Sequence, residues 1–387
     1  MSRQFISFVL MDFRAVFEEY KLKNLNRRYL PPEQFDEQIT EFGLKGLEIG
    51  QSAEERPIRV FRFGAGPTKI LLWSQMHGNE STATRVFLDI FNFFINDREK
   101  QKELISNLSL YFIPMLNPDG ADMHSRENAK GIDLNRDFVD TKSPEMKAFV
   151  EYVDKIDPDW AFNMHDQRNI FNVAGSNNPA TISVLAPTYD EARSVNEVRE
   201  DAMRIGAVIC KELEPDLSGH LSRFTDEFYP LASGDNMQKR GVRTMTIESG
   251  GYPNDPMREV GRKATFVGLL AALKVLNEGS LAEYEPKSYL AIPEAEKKLC
   301  DVLLWNEEMT YAYAFVEDRK VVNGQLKVEF ILDRQGEWKD AIGYREFKAI
   351  EPIQYKDGVR LNMDDIADVA DLLYDRGLNA EKVRQSN

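Results

Sequence analysis

The run Ile70-Leu71-Leu72-Trp73 is apolar without interruption, and the segment behind it carries Phe87, Ile90, Phe91 and Phe94 at i, i+3, i+4, i+7. A strand with no polar alternation is buried on both faces, and a helix with a single apolar stripe needs a sheet to cover. The pair recurs. Leu108 to Leu116 reads as a strand, and Ser143-Pro144-Glu145 opens a helix whose buried stripe is Met146, Phe149, Val150 and Val153. Trp160-Ala161-Phe162 is a short strand running into His165, followed by a long charged helix from Tyr189 to Leu213. Thr244-Met245-Thr246-Ile247 is a strand that ends at Glu248, and Phe266 to Leu276 is an apolar helix. Strands alternating with helices restrict the chain to an α/β sheet covered on both faces. Such sheets bind ligands at the carboxyl ends of their strands, where His77, His165 and Glu248 all fall.

Outside this region the pattern changes. Residues 12–45 read as a helical segment and an approach loop broken at Pro31-Pro32. Residues 45–75 read as a hairpin, including Ile58-Arg59-Val60-Phe61-Arg62-Phe63, with Gly64-Ala65-Gly66-Pro67 as its punctuation. After Gly279 the runs become β-type, as in Tyr311-Ala312-Tyr313-Ala314-Phe315-Val316 and Leu326-Lys327-Val328-Glu329-Phe330-Ile331. Ile366, Val369, Ala370 and Leu373 then suggest a terminal helix. The expected division is a catalytic domain over 1–280 and a small β-rich domain with a terminal helix over 285–387. At 387 residues the chain is long for one core, which fits two units.

Composition excludes several partners. The formal charge is −15, from 49 basic and 64 acidic side chains, and no basic stripe stands out, so a phosphate backbone or an anionic membrane is repelled. No apolar run approaches the roughly 18 residues of a membrane span. The apolar patch in the opening ten residues is too short for a secretory h-region, so the expected location is cytoplasmic. Cys210 and Cys300 fit neither a thiolate metal site nor a disulfide framework and read as reduced, packed thiols.

Three side chains suit a catalytic metal: His77 and Glu80 in His77-Gly78-Asn79-Glu80, and His165 in Asn163-Met164-His165-Asp166. Two imidazoles and a carboxylate match Zn²⁺ with one position left for water. Each part alone is weak. Glu is common in this chain, so His-x-x-Glu arises readily by chance, and an isolated strand-end histidine is more often a core residue satisfied by a neighbour. Between them lie Asn117-Pro118-Asp119-Gly120 and a polar loop holding Arg126, Asn128, Asn135 and Arg136. A turn and a solvated loop explain the Pro-Asp-Gly. They do not explain two arginines and two asparagines beside a candidate metal, which an anionic ligand does, because Arg forks pair with carboxylates.

The ordered set His77-x-x-Glu80, Asn117-Pro-Asp-Gly, Arg126-x-Asn, Asp133-x-Asn135-Arg136, His165 and Thr246-Ile-Glu248-Ser-Gly resembles the zinc metallocarboxypeptidase family, the relatives of pancreatic carboxypeptidase A. The similarity spans about residues 45–276. It implies a three-layer α/β/α fold with a mixed, mostly parallel central sheet, to which the β-rich C-terminal appendage is added. It implies one Zn²⁺ per chain on His77, Glu80 and His165, with Asp133 orienting a zinc histidine. Glu248 would be the general base that activates the zinc-bound water, and Arg126 would polarise the scissile carbonyl. Asn135 and Arg136 would hold the substrate's terminal carboxylate, and Tyr229 is the candidate for the family's capping tyrosine, a buried structural tyrosine being the competing reading. Two departures matter: Asn79 stands where digestive members carry an arginine, and His-Gly-Asn-Glu is closer to bacterial murein-peptide hydrolases and to the aspartoacylase and succinylglutamate desuccinylase branch.

The expected function is a zinc carboxypeptidase acting on a peptide with a free carboxylate. The alternatives are a zinc deacylase of N-acyl amino acids, a murein-peptide amidase, and a catalytically inactive peptide-binding homologue. Asp235 and Arg240 are candidates to face the side-chain pocket or solvent.

Overall fold

The structure is a computed structural model that describes residues 11–306, 308–337, 342–349, 361–363 and 380–385. Two helices open it. Helix α1 (Phe13–Tyr20) is capped by Asp12, whose carboxylate accepts from Arg14 N and Ala15 N, and α2 (Pro32–Glu41) starts on a proline. Both lay aromatic and aliphatic side chains on the main core.

Strands β1 (Leu47–Gln51) and β2 (Pro57–Phe63) form the expected antiparallel hairpin. Its turn is not Gly64–Pro67, however. The chain reverses at Ser52–Arg56, where Ser52 N donates to Arg56 O. The Gly64–Pro67 stretch instead carries the chain past a neighbouring strand into β3 (Thr68–Trp73). A Cβ on Gly66 would fall 1.9 Å from the Asn107 carbonyl carbon, so only glycine allows that passage.

Helices α3 (Thr82–Asn96) and α4 (Arg98–Ile105) lead to β4 (Leu108–Ile113), and α5 (Pro118–Met123) and α6 (Pro144–Ile156) lead to β5 (Trp160–Asp166). Short strands β6 (Phe171–Val173) and β7 (Ile182–Leu185) precede α7 (Glu197–Leu217). That helix starts later than its charge pattern suggests. Asp190 accepts from Ser194 N in a turn, Arg193 has φ +54°, and Asn196 caps the helix by accepting from Arg199 N. Strand β8 (Leu221–Arg223), α8 (Ser233–Lys239), β9 (Arg243–Ser249) and α9 (Glu259–Glu278) complete this part.

The eight-stranded sheet runs β1-β2-β4-β3-β5-β9-β7-β8. Its centre, β4-β3-β5-β9, is parallel; β1, β2 and β7 join antiparallel. The unbroken apolar run in β3 now has its reason. Ile70 and Leu72 face the layer of α1, α3, α7 and α9, while Leu71 and Trp73 face α6 and Met237 of α8. The result is the expected three-layer α/β/α arrangement with a mixed sheet. Phe87, Ile90, Phe91 and Phe94 of α3 are fully buried, and truncating such a side chain costs about 3–5 kcal/mol.

Helix α10 (Pro286–Leu290) and β10 (Ala295–Lys297), which pairs with β6, connect to a second sheet. It contains β11 (Leu299–Trp305), β12 (Ala312–Val322), β13 (Gln325–Gly336), β14 (Ile342–Ala349), β15 (Leu361–Met363) and β16 (Ala380–Gln385), in the order β15-β13-β12-β11-β14-β16. The expected terminal helix around Ile366, Val369, Ala370 and Leu373 lies outside the described residues. Among the described residues, no helix is long and apolar enough to cross a membrane. Cys210 and Cys300 are buried and unpaired as thiols, and burial pushes the Cys210 thiol up to about 12.

Candidate metal centre and active site

The carboxyl ends of β3, β5 and β9 open into one cleft of about 270 Å³. Beyond Trp73 the chain stays tied to the end of β4. Ser74 N donates to Ile113 O and Leu116 N to Ser74 O, and Asn117 N reaches Gln75 O. These bonds hold the turn His77–Glu80 against the Asn117-Pro118-Asp119-Gly120 segment. A Cβ on Gly78 would stand 1.8 Å from the Gly120 carbonyl carbon, so the two turns pack backbone to backbone. Asn117 caps α5 by accepting from Gly120 N, and buried Asp119 accepts from Ser52 Oγ and Arg56. The Asn-Pro-Asp-Gly motif therefore shapes the wall behind the site.

His77, Glu80 and His165 come together as expected, with their donor atoms all within 4.8 Å of one another. Glu80 stands between the two imidazoles: Oε1 lies 2.8 Å from His77 Nδ1, and Oε2 lies 2.8 Å from His165 Nδ1. His77 Nε2 is taken by Asp133 Oδ1 at 3.2 Å, and the other oxygen of Asp133 accepts from Arg126 Nε at 3.0 Å. With the proton of a neutral His77 on Nε2, the Nδ1 lone pair faces a carboxylate oxygen. That geometry is favourable only with a proton or a cation between them. Two imidazole nitrogens and a carboxylate gathered this closely are a donor set that suits Zn²⁺.

The charges agree with this reading. Burial works against an imidazolium at His77, but Glu80 and Asp133 outweigh it and raise the group to about 9. His165, equally close to Glu80, is lowered, mainly by burial. One carboxylate can compensate one proton, not two. Glu80 is held well below the carboxylate range, because His77 and His165 overcome its burial. A divalent cation would satisfy all three at once.

Glu248 lies in register with His165 across the parallel β5–β9 pair, as Thr246 lies opposite Asn163. Burial and the nearby Glu80 charge push its carboxyl up. Arg126 NH1 lies 3.2 Å from His77 Nδ1 and 3.7 Å from Glu80 Oε1, so its guanidinium borders the same point. Asn135 and Arg136 sit on a short 3-10 turn, Leu134–Arg136, capped by Asp133. Asn135 Oδ1 accepts from Ser233 N, and the exposed Arg136 guanidinium stacks over the Tyr229 ring at 5.2 Å. Tyr229 is 41% exposed, so it is a rim residue rather than a buried structural one. Asn128 turns away from the cleft: it donates to Glu145 Oε2 and accepts from Lys130 N and Ile132 N, which folds the loop.

Of the two pocket candidates, only Asp235 faces the cleft. Arg240 pairs with Asp154 on the surface at 2.9 Å. Asp235 lines a recess with Asn163, Leu185, Ala232, Gly234 and Thr246. It is 6% exposed and has no cation within ion-pair distance among the described residues, and burial raises it to about 6. Sequence reasoning did not single out Asn163, Leu185 or Thr246. The strand-end positions of Asn163 and Thr246 were the only available signal, and Leu185 had none.

A doubly covered α/β sheet with two imidazoles and a carboxylate gathered at its strand ends is an α/β protein with a candidate metal centre. The comparisons make the class specific. Residues 44–204 match the zinc carboxypeptidase family model. Among curated proteins, carboxypeptidase E of Caenorhabditis elegans is 33% identical over 119 residues, 25% of either chain. The catalytic chain of human carboxypeptidase N is 28% identical over 130 residues, 28% of this chain and 27% of that one. The match thus spans about a quarter of these relatives' own length. Among solved structures, a metallo-carboxypeptidase from Burkholderia cenocepacia superposes with a TM-score of 0.53 at 18% identity, covering 66% of this chain and 71% of that one. Bovine thrombin-activatable fibrinolysis inhibitor, solved with a tick carboxypeptidase inhibitor, gives 0.51 at 15% identity, covering 67% and 99%. Over residues 44–204 the chain is thus similar to the zinc carboxypeptidases, and its α/β/α fold is the one those solved structures share.

Proposed function

We propose that the protein is a zinc-dependent carboxypeptidase that releases the C-terminal residue of a peptide. One observation carries the reading: Glu248 stands opposite His165 in the β5–β9 register, beside the His77–Glu80–His165 donor set and the Arg126 guanidinium. One zinc ion held by those three side chains would supply a Lewis acid and lower the pKa of its water. Glu248 accepts the proton of the attacking water and returns it to the leaving amine. Arg126, braced by Asp133, holds positive charge where the carbonyl oxygen becomes negative. Arg136, exposed at the mouth, and Asn135 bind the substrate's terminal carboxylate, with Tyr229 closing over it. The residues 1–280 form the catalytic unit in this reading and 285–387 the appended one.

Asp235 extends the proposal to the released side chain. A carboxylate buried in the recess without a cation is an incomplete pair, because an unpaired buried charge is costly. A lysine-, arginine- or other diamino-acid side chain completes it.

The test is hydrolysis by the zinc-loaded chain of matched peptides with free and amidated C termini, alongside N-acyl amino acids and murein peptides. Cleavage confined to free-carboxylate peptides is expected. Preferential cleavage of N-acyl amino acids would move the assignment to a deacylase, and equal cleavage of amidated peptides would refute an exopeptidase.

A further inference from the structure

The C-terminal sheet touches the catalytic unit at the ends of the two strands that carry His165 and Glu248. The joint is Arg258, which follows β9 and stands just before α9. Its side chain is 2% exposed and its φ is +57°. NH1 donates to Ser249 O at 2.7 Å, one residue past Glu248. NH2 donates to Gln167 O at 2.5 Å, two residues past His165, and to Asn169 Oδ1 at 3.0 Å. Ser249 O also accepts from Gln167 N, so this guanidinium extends the β5–β9 ladder where its own bonds run out. NH1 lies 3.4 Å from Asp166 Oδ2, the oxygen that accepts from Thr82 Oγ1 at the start of α3, two residues past Glu80. A single side chain thus touches the backbone or the immediate neighbour of the three segments that bear Glu80, His165 and Glu248.

Asn169 is held from the other side. Its Nδ2 donates to Asp301 Oδ1 of β11 at 2.7 Å, and Asp301 Oδ2 accepts from Glu317 N of β12 at 2.8 Å. Glu317 pairs with Arg28 at 3.5 Å, and the Arg28 carbonyl accepts from Ser81 Oγ, next to Glu80. Tyr344 of β14 closes on Gly251, where a Cβ would meet its hydroxyl at 2.6 Å. The appended sheet therefore grips the outer side of the same turns whose inner side lines the cleft.

We infer that the C-terminal sheet is a working part of the active centre, with Asp301 and Arg258 as positioning residues that act through Asn169 on the spacing of His165 and Glu248. Buried charge-assisted bonds of this kind set geometry more than they add stability, and a misplacement of about 1 Å at a catalytic group is enough to slow a reaction on the order of 10²-fold. The inference rests on the proposed metal site, so its test uses readouts that survive a wrong substrate.

The full-length chain carrying Asp301→Asn, Asn169→Ala or both is loaded with zinc and challenged with a chelator. The His165 imidazole nitrogen signals are read by histidine-selective labelling, in metal-free and zinc-loaded protein alike; the chain has only four histidines, so they resolve. Each variant is expected to release zinc about tenfold faster and to move the His165 signals. kcat per bound zinc should fall about tenfold with KM within about twofold, and the double variant should match the singles, because the residues act in series. Unchanged imidazole signals and zinc release, with only a lower Tm, would overturn the inference, as would additive effects. Arg258→Lys, which keeps the charge but loses the two-carbonyl fork, supplies the same comparison should a truncation at that position not fold. A wild-type chain that holds zinc but cleaves no peptide would refute the proposed activity while leaving the imidazole and release measurements decisive here.

Discussion

Replacing Asp235 by Asn should trade substrate recognition for stability, and the size of the trade follows from the structure. The carboxyl is 6% exposed, and burial moves it from its ordinary value of 3.8 up to about 6, against the weaker pull of Tyr229 N, Thr188 and Arg136. That displacement corresponds to roughly 3 kcal/mol against the ionised form in the fold. Because the folded-state pKa is the higher one, the folded chain binds the proton more tightly than the unfolded chain. The associated stability is fully present below about pH 4 and is lost as the pH rises through about 6. The amide that replaces the carboxylate in D235N carries no such charge, while its carbonyl can still accept from Tyr229 N. Urea unfolding of metal-free wild type and D235N from pH 4 to 8 should show no gap at pH 4 and a gap of up to roughly 3 kcal/mol in favour of the mutant above pH 7. On the zinc-loaded enzyme the same change should lower kcat/KM for peptides ending in Lys or Arg about 10²-fold, the low end for removing one partner of a buried ion pair, and leave peptides ending in Leu nearly unaffected. Parallel stability curves, together with an unchanged Arg-to-Leu preference, would refute the argument that Asp235 is a buried charge waiting for a cationic side chain.

Three further outcomes are expected. Elemental analysis should find about one zinc per chain, lost in His77→Ala and in His165→Ala, because an open site needs three protein ligands; wild type that takes up no zinc excludes the metal reading. Arg126→Ala should retain zinc and lower kcat on the order of 10²–10³-fold, as for removal of one oxyanion-stabilising donor, whereas a rise in KM alone would assign Arg126 to ground-state binding. Glu248→Gln should keep zinc and fold yet lose activity by roughly 10²–10⁴-fold, since the amide cannot accept a proton; zinc loss in that variant would make Glu248 a ligand, and full activity would falsify its role as base.

How much of this was legible in the chain differs by element. The periodicities of β3, α3, α6, β5, β9 and α9 are local: each is a contiguous run whose burial pattern is written in its own residues, and the structure places them as read. His77, Glu80, His165 and Glu248 were legible for a related reason, because each sits at or just after the end of an apolar strand and strand ends converge in such sheets. Boundaries set by one side chain were not. The hairpin turn moved to Ser52–Arg56, and α7 waits for the Asn196 cap, since a local hydrogen bond competes there with a charge pattern that continues smoothly through it.

What the sequence alone determined is therefore the sheet-and-helix alternation, the donor residues and their order. Only the tertiary structure decided which loop residues face the cleft. It turned Asn128 into a loop brace, left Arg240 on the surface and buried Asp235 in the recess. It also brought Asp301 of β11 against Asn169, the partner of Arg258, 132 positions away in the chain. The physical reason is that backbone periodicity reports burial within one element, whereas a side chain's direction and partner depend on register and on the packing of elements remote in the chain.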